Sequence, residues 1–258
     1  MSRRDEILRE IGLTPIWRLR EAAPAPALQE ASAEPALPAS APGTIMPTEA
    51  AFPSTAEHGE RRAVIMRMDW SALKARVDSC VDCRLHQKRT RAAFGVGDEK
   101  AEWLFVGEGP GAEEDVQGEP FVGQAGKLLD AMLAAIKLKR GENVYIANIV
   151  KCRPPGNRNP EPDEARECEP YLKRQIDLIR PRLIVALGRI AAVNLLGRDA
   201  SIASLRGKLH DYAGIPLIVT YHPAYLLRSL PDKAKAWTDL CYAVETMKGL
   251  QTSAGATT

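Results

Sequence analysis

Trp103-Leu104-Phe105-Val106-Gly107-Glu108-Gly109-Pro110-Gly111 is the stretch that decides the fold. An unbroken apolar run leads straight into a turn built on alternating glycines. A strand with one wet face would alternate apolar and polar residues. A continuous apolar run suits a strand of a parallel sheet, where helices cover both faces. The pattern recurs at Val144–Val150, Leu183–Leu187 and Leu217–Tyr221. Helical spacing fills the intervals, at about Gln124–Lys139, Asp163–Arg180 and Arg189–Leu196, and again at Asp232–Lys248 after the fourth run. This alternation predicts an α/β fold: a three-layer α/β/α sandwich with a central, mainly parallel four-stranded sheet. Ligands in such folds sit at the carboxyl ends of the strands. The residues just after each run are therefore where chemistry is sought.

The chain around that core divides by composition. Of 258 residues, 45% are apolar, enough for a full core, and the net charge of +2 excludes a histone-like basic protein. Binding to nucleic acid would need a local basic patch. No apolar run reaches the ~18–20 residues of a membrane span. Arg3 and Arg4 imitate the start of a signal peptide, but Asp5, Glu6, Arg9 and Glu10 break up the stretch where its apolar region would stand. The expected location is cytoplasmic. Residues 1–20 read as a short amphipathic segment with Ile7, Leu8 and Ile11 on one face. It either folds back on the body or docks a protein partner. Residues 21–60 are Ala/Pro-rich, with prolines at 24, 26, 35, 38, 42, 47 and 53, and read as a disordered linker. The folded domain is expected over 68–250 and a disordered tail over 251–258.

Three loops carry the candidate chemistry. After the first run, Gly107-x-Gly109-x-x-Ala112 fits the dinucleotide pattern. A pyrophosphate, however, needs a helix N-terminus directly after the turn. Here Glu113-Glu114-Asp115 come next, and the following helix is expected only near Gln124. An acidic loop that continues into Pro120-Phe121-Val122-Gly123 suits a neutral base and a water better. Asn148 closes the second run and can donate and accept in one plane, as reading a base edge requires; it could equally cap a loop. Lys151, Arg153 and Arg158 come after it as candidate phosphate contacts, with Asn157 among them as a further candidate DNA contact. After the fourth run, His222-Pro223-Ala224-Tyr225 leads into Leu226, Leu227 and Arg228, apolar residues on an expected exposed loop, which suits a wedge into a base stack. Arg206 adds another candidate phosphate contact.

Five cysteines are present. Cys80-x2-Cys83 and Cys152-x15-Cys168 group four of them, and this spacing fits zinc or a [4Fe–4S] cluster equally. Cys241 lies in a helical stretch beside Trp237, Leu240 and Val244 and reads as core.

Order and spacing together resemble the family 4 uracil-DNA glycosylases, the iron–sulfur branch of that superfamily, over about residues 70–248. The resemblance rests on Gly107-Glu108-Gly109-Pro110-Gly111 with Glu114-Asp115, on Pro120-Phe121-Val122-Gly123, on Asn148 four residues before Cys152-Arg153-Pro154-Pro155, and on His222-Pro223-Ala224-Tyr225. The family commonly has Ala where this chain has Gly109. A related branch carries a Lys-Arg-Arg-Ile-His loop and forms a covalent adduct with uracil-DNA; residues 201–210 show no such loop.

The resemblance implies excision of uracil flipped out of DNA, by hydrolysis of its N-glycosidic bond. Phe121 would stack on the base, Asn148 would bond its Watson–Crick edge, and His222 would face the carbonyl next to the scissile nitrogen. Glu108, Gly109 and Pro110 would line the pocket. Glu114 and Glu108 are the two candidates to orient the water. Arg153, Asn157, Arg158, Arg206, Leu226, Leu227 and Arg228 would meet the DNA. Cys80, Cys83, Cys152 and Cys168 would ligate a [4Fe–4S] cluster. The expected enzyme is a monomer, monofunctional, with uracil-containing DNA as partner and no membrane. A different base, such as hypoxanthine or a damaged pyrimidine, and a non-catalytic iron–sulfur DNA-binding module are the alternatives.

Overall fold

The computed structural model of the chain describes residues 55–255. In chain order the helices are α1 (Thr55–Ile65), α2 (Trp70–Asp78), α3 (Ala112–Gln117), α4 (Gln124–Ala135), α5 (Pro162–Ile179), α6 (Arg189–Leu196), α7 (Ile202–Leu205), α8 (Pro223–Leu226) and α9 (Asp232–Gly255). The strands are β1 (Val96–Gly97), β2 (Trp103–Gly107), β3 (Val144–Asn148), β4 (Leu183–Leu187), β5 (Leu209–Tyr212) and β6 (Ile215–Thr220). They form one sheet in the order β1-β3-β2-β4-β6-β5. The four expected strands are its parallel centre. The sheet nevertheless has six strands rather than four, because β1 and β5 add antiparallel edges. Neither edge carries an apolar run. β1 is two residues long, and β5 reads Leu-His-Asp-Tyr, half solvated as edge strands are.

Both faces of the centre are covered, which explains the continuous apolar runs. Leu104, Val106, Ala147, Ile184 and Val219 pack with Leu73 of α2 and Tyr171, Leu172 and Ile176 of α5. Their neighbours Phe105, Ile146, Val185 and Ile218 pack on the other side with Leu129 and Leu133 of α4 and Ala243 and Met247 of α9. This is the expected three-layer sandwich.

Several boundaries differ from expectation. The folded body starts before Met68: α1 lies across the expected linker end, and its Arg61 donates to Asp82 at 2.9 Å and to the Glu167 carbonyl at 2.7 Å. Residues 251–255 continue α9 instead of forming a disordered tail. The segment 1–20, linker residues 21–54 and residues 256–258 lie outside the described residues. Helix α4 stops at Ala135, short of Lys139. No described helix is long and apolar enough to cross a membrane.

Candidate active site

Parallel pairing sets Gly107 beside Asn148 at the carboxyl ends of β2 and β3. The missing side chain at Gly107 is what lets the site close: a Cβ there would stand 2.5 Å from Asn148 Oδ1 and 2.5 Å from the Phe121 ring. Phe121, at this junction, also lines a pocket of about 420 Å³ together with Glu108, Gly109, Pro110, His222 and Arg228; Asn148 lies behind Phe121 and is not part of that lining. That size suits a small planar ligand. The fold thus gathers residues of three separate loops at the carboxyl ends of its central strands.

Asn148 is 1% exposed, and its Oδ1 is buried without a hydrogen-bond partner among the described residues. Burying an unpaired carbonyl oxygen costs about 1–3 kcal/mol, so such an atom calls for a donor from outside. Its backbone is fixed from behind. Lys151 Nζ donates to the Asn148 carbonyl at 3.0 Å and to Gln175 Oε1 at 2.6 Å, and Gln175 Nε2 donates to the Phe94 carbonyl at 2.9 Å. Lys151 is itself fully buried, and burial pushes its pKa down to about 8. It is an internal brace, not the phosphate contact expected from sequence.

His222 ends the stretch after β6. Its Nδ1 accepts the Ala224 N–H at 3.1 Å and so caps α8. That bond occupies the Nδ1 lone pair and leaves the proton on Nε2. Burial, then the charge of Arg228, lowers the His222 pKa to about 4. The ring is therefore a neutral Nε2–H donor at physiological pH. It lies 5.4 Å from the Phe121 ring, centroid to centroid, tilted by 31°.

The two carboxylates part company. The expected acidic loop is helix α3, which begins directly after the glycine turn. Its N-terminus is filled by the chain itself: Glu114 accepts the Gly111 N–H at 3.1 Å and, from the neighbouring loop, the Val122 and Gly123 N–H groups at 2.9 and 3.0 Å. The pyrophosphate reading fails for that reason, and not for want of a helix. With three N–H donors on its oxygens, Glu114 braces two loops and is a poor candidate to orient a water. Glu108 has no such partners. Burial alone raises its pKa to about 7, so it exchanges a proton near neutrality.

A second cavity adjoins Lys151. Cys80, Cys83, Cys152 and Cys168 line it together with Arg89 and Lys151, and Cys241 does not. Arg89 donates to Cys152 Sγ at 3.0 Å, and the Lys151 N–H donates to Cys168 Sγ at 3.3 Å. Burial pushes the Cys83 thiol up to about 11 and the Cys168 thiol up to about 12, so ionised sulfur there needs a bound cation. The thiols stand around the cavity wall: among the described residues, no three His, Cys, Asp or Glu side chains close on one metal-ion position.

Comparison with known proteins decides the family. The model of the uracil DNA glycosylase superfamily matches residues 94–241. The type-4 uracil-DNA glycosylase of Archaeoglobus fulgidus is 50% identical over 157 residues, 58% of this chain and 78% of that protein. That of Thermotoga maritima is 47% identical over 162 residues, 62% and 84% of the two chains. That of Pyrobaculum aerophilum is 44% identical over 181 residues, 67% and 92%. The chain belongs to the uracil DNA glycosylase superfamily, in its type-4 group.

On this glycosylase the residues expected to meet DNA fall into two sets. Arg228 and Leu227 are exposed, Leu227 at 43%, and Arg228 stands at the pocket mouth. Arg153 and Asn157 lie on the loop after β3, joined by a 2.7 Å bond from Arg153 Nε to Asn157 Oδ1. Of the other three, Leu226 and Arg206 turn inward, while Arg158 stays part-exposed in the pocket lining, held there by Glu164. Leu226 is 1% exposed and belongs to the core side of α8, so it is no wedge. Arg158 holds Glu164 with two bonds of 2.8 and 2.7 Å. Arg206 is tied to Asp239 at 2.7 Å and stacks over the Tyr221 ring at 4.4 Å. Sequence gives only a residue's place on a loop; the side it faces depends on partners far along the chain.

Proposed function

We propose that the pocket takes a uracil flipped out of DNA and that the enzyme hydrolyses its N-glycosidic bond, releasing free uracil and leaving an abasic site. The observation that carries this reading is the buried, unpartnered Oδ1 of Asn148 next to Phe121. Uracil presents an N3–H donor to such an oxygen. Cytosine presents a lone pair at the same place and is repelled. A site built to pair one pattern leaves groups unpaired with the other, a penalty of several powers of ten.

The chemistry follows from the surrounding residues. Flipping costs a few kcal/mol. Leu227 entering the stack and Phe121 stacking on the base offset it, the latter by about 1–3 kcal/mol. As the bond between the sugar C1′ and the base N1 breaks, negative charge collects on the uracil carbonyl oxygens. The neutral Nε2–H of His222 stabilises it, a contribution of roughly 3–4 kcal/mol for one such donor. The oxygen of a water bonds to C1′, and its proton passes to the Glu108 carboxylate. Among the described residues no lysine lines the pocket to form a Schiff base, in keeping with a monofunctional enzyme that leaves the strand intact.

The four cysteines are read as holding a [4Fe–4S] cluster; thiols ranged around a cavity suit a polynuclear group better than one ion. Such a cluster would supply a covalent clamp, joining the segment before β1 to the loop after β3 and to α5. A reducing cytoplasm would keep the four cysteines out of disulfides and available to such a cluster, and the enzyme is read as a monomer. Residues 1–20 are read as a docking segment. A chain starting at Thr55 should then keep full turnover on short oligonucleotides, and a large loss of rate would show that the segment serves the pocket.

Single-turnover reactions on matched oligonucleotides carrying uracil, cytosine, hypoxanthine or an oxidised pyrimidine test the proposal. Uracil should be released far faster than the rest. Equal release of hypoxanthine, or binding without any release, would contradict it.

A further inference from the structure

The loop that carries Phe121 holds a conformation its own sequence disfavours. Phe121 has φ +57°, the left-handed region, where a bulky non-glycine residue is strained. Three features hold it there. Glu114 grips the N–H groups of Val122 and Gly123 just downstream. Gly126 in the first turn of α4 makes room, since a Cβ at that position would stand 1.8 Å from the Phe121 carbonyl oxygen. Arg140 then takes the carbonyls: Nη2 donates to Phe121 at 2.7 Å and Nη1 to Pro120 at 3.0 Å. Its Nε donates to Asp130 at 2.9 Å, which fixes the plane of the fork. The guanidinium side chain is 22% exposed, so water screens these bonds only in part. After α4 stops at Ala135, Arg140 follows in the turn closed by the Lys139–Glu142 bridge.

We propose that Arg140 is a positioning residue for base capture. Its fork locks two successive carbonyls of the strained Pro120-Phe121 segment and thereby holds the Phe121 ring beside His222 as a stacking platform. Two parallel N–H donors at fixed spacing are what a guanidinium offers and an ammonium does not. Without the fork, Phe121 relaxes to ordinary backbone angles and the ring leaves its place. The inference rests on the reading of Phe121 as the surface on which the base stacks.

A double-mutant cycle tests it. The parental enzyme, Phe121→Ala, Arg140→Ala and the double variant are each read for single-turnover uracil release and for inhibition by free uracil, with the melting temperature recorded alongside. Arg140→Ala should slow release about tenfold and weaken uracil inhibition by a similar factor, the size of one lost base–aromatic stack. In the Phe121→Ala background the same change should move neither. Arg140→Lys should fall between. Lys139→Ala, which breaks the neighbouring Lys139–Glu142 pair and touches neither carbonyl, should match the parental enzyme. An equal loss in both backgrounds overturns the inference, because Arg140 then supports the fold and not Phe121; so does no loss at all. Where Arg140→Ala does not fold, Arg140→Lys in the same cycle decides. If Phe121→Ala itself changes nothing, the stacking reading falls and takes this inference with it.

Discussion

Replacing His222 with alanine separates two roles of one imidazole. Its Nδ1 caps α8 through the 3.1 Å bond from Ala224, and its Nε2–H faces the pocket as a neutral donor because the pKa is held down to about 4. Loss of one donor to a developing oxyanion costs about 2.7–4 kcal/mol, so the single-turnover rate should fall by about 10²–10³. Loss of the cap costs about 1 kcal/mol of stability, a shift of a few degrees in melting temperature. His222→Asn tells the two apart. Its amide oxygen can take over the cap and recover the melting temperature, but its short side chain cannot reach the base. The assay is rapid quench with enzyme in excess over a labelled oligonucleotide containing one uracil, followed by alkaline cleavage. Affinity for the same DNA, read by fluorescence anisotropy, should change much less than the rate. A His222→Ala enzyme that works at the parental rate refutes the donor role. Recovery of rate together with melting temperature in His222→Asn would show that the cap was the whole effect.

The other predictions concern the base edge, the base catalyst and the cysteines. Asn148→Asp replaces the amide donor with a second acceptor; it should lose most uracil release and gain weak cytosine release from single-stranded DNA, and a parental uracil rate would show that Asn148 does not read the base. Glu108 must be ionised to take the water proton, and its raised pKa keeps it protonated in acid. The single-turnover rate should therefore climb as pH rises through about 7 and level off above it, and Glu108→Gln should erase that limb. His222, neutral above about 4, contributes no fall in the same window. The purified protein should be brown with about four irons per chain. Cys83→Ala should lower both iron content and melting temperature while Cys241→Ala changes neither, and stoichiometric zinc without colour would contradict the cluster.

Much of the fold was readable because the central strands are buried on both faces, so their signal is a plain run such as Leu183–Leu187. The edges β1 and β5 gave no such signal, since their partly solvated residues follow no apolar pattern. Helix α3 was misread as a loop because Glu113-Glu114-Asp115 looks acidic and irregular, although Glu114 stands three residues after Gly111, the spacing of a helix cap. Glu108, Gly109, Asn148 and His222 stand at or just after strand ends, a consequence of topology, whereas Phe121 was singled out by the family resemblance. What stayed hidden was direction. Lys151 and Leu226 sit on chemically suggestive loops yet point into the protein, toward Gln175 and the core. The apolar neighbour Val150 and the cysteine beside it were the one local hint that Lys151 is enclosed. Arg140 carried no hint at all, because its partners Pro120 and Phe121 are backbone carbonyls some twenty residues away.

The most direct test of the account is a crystal structure of the protein with free uracil bound. The base should lie against the Phe121 ring, with its N3 within hydrogen-bond distance of Asn148 Oδ1 and a carbonyl oxygen facing His222 Nε2. Uracil bound anywhere else, such as the cleft lined by Trp70 and Tyr145, or bound in the pocket with Asn148 Oδ1 still unpaired, would contradict it.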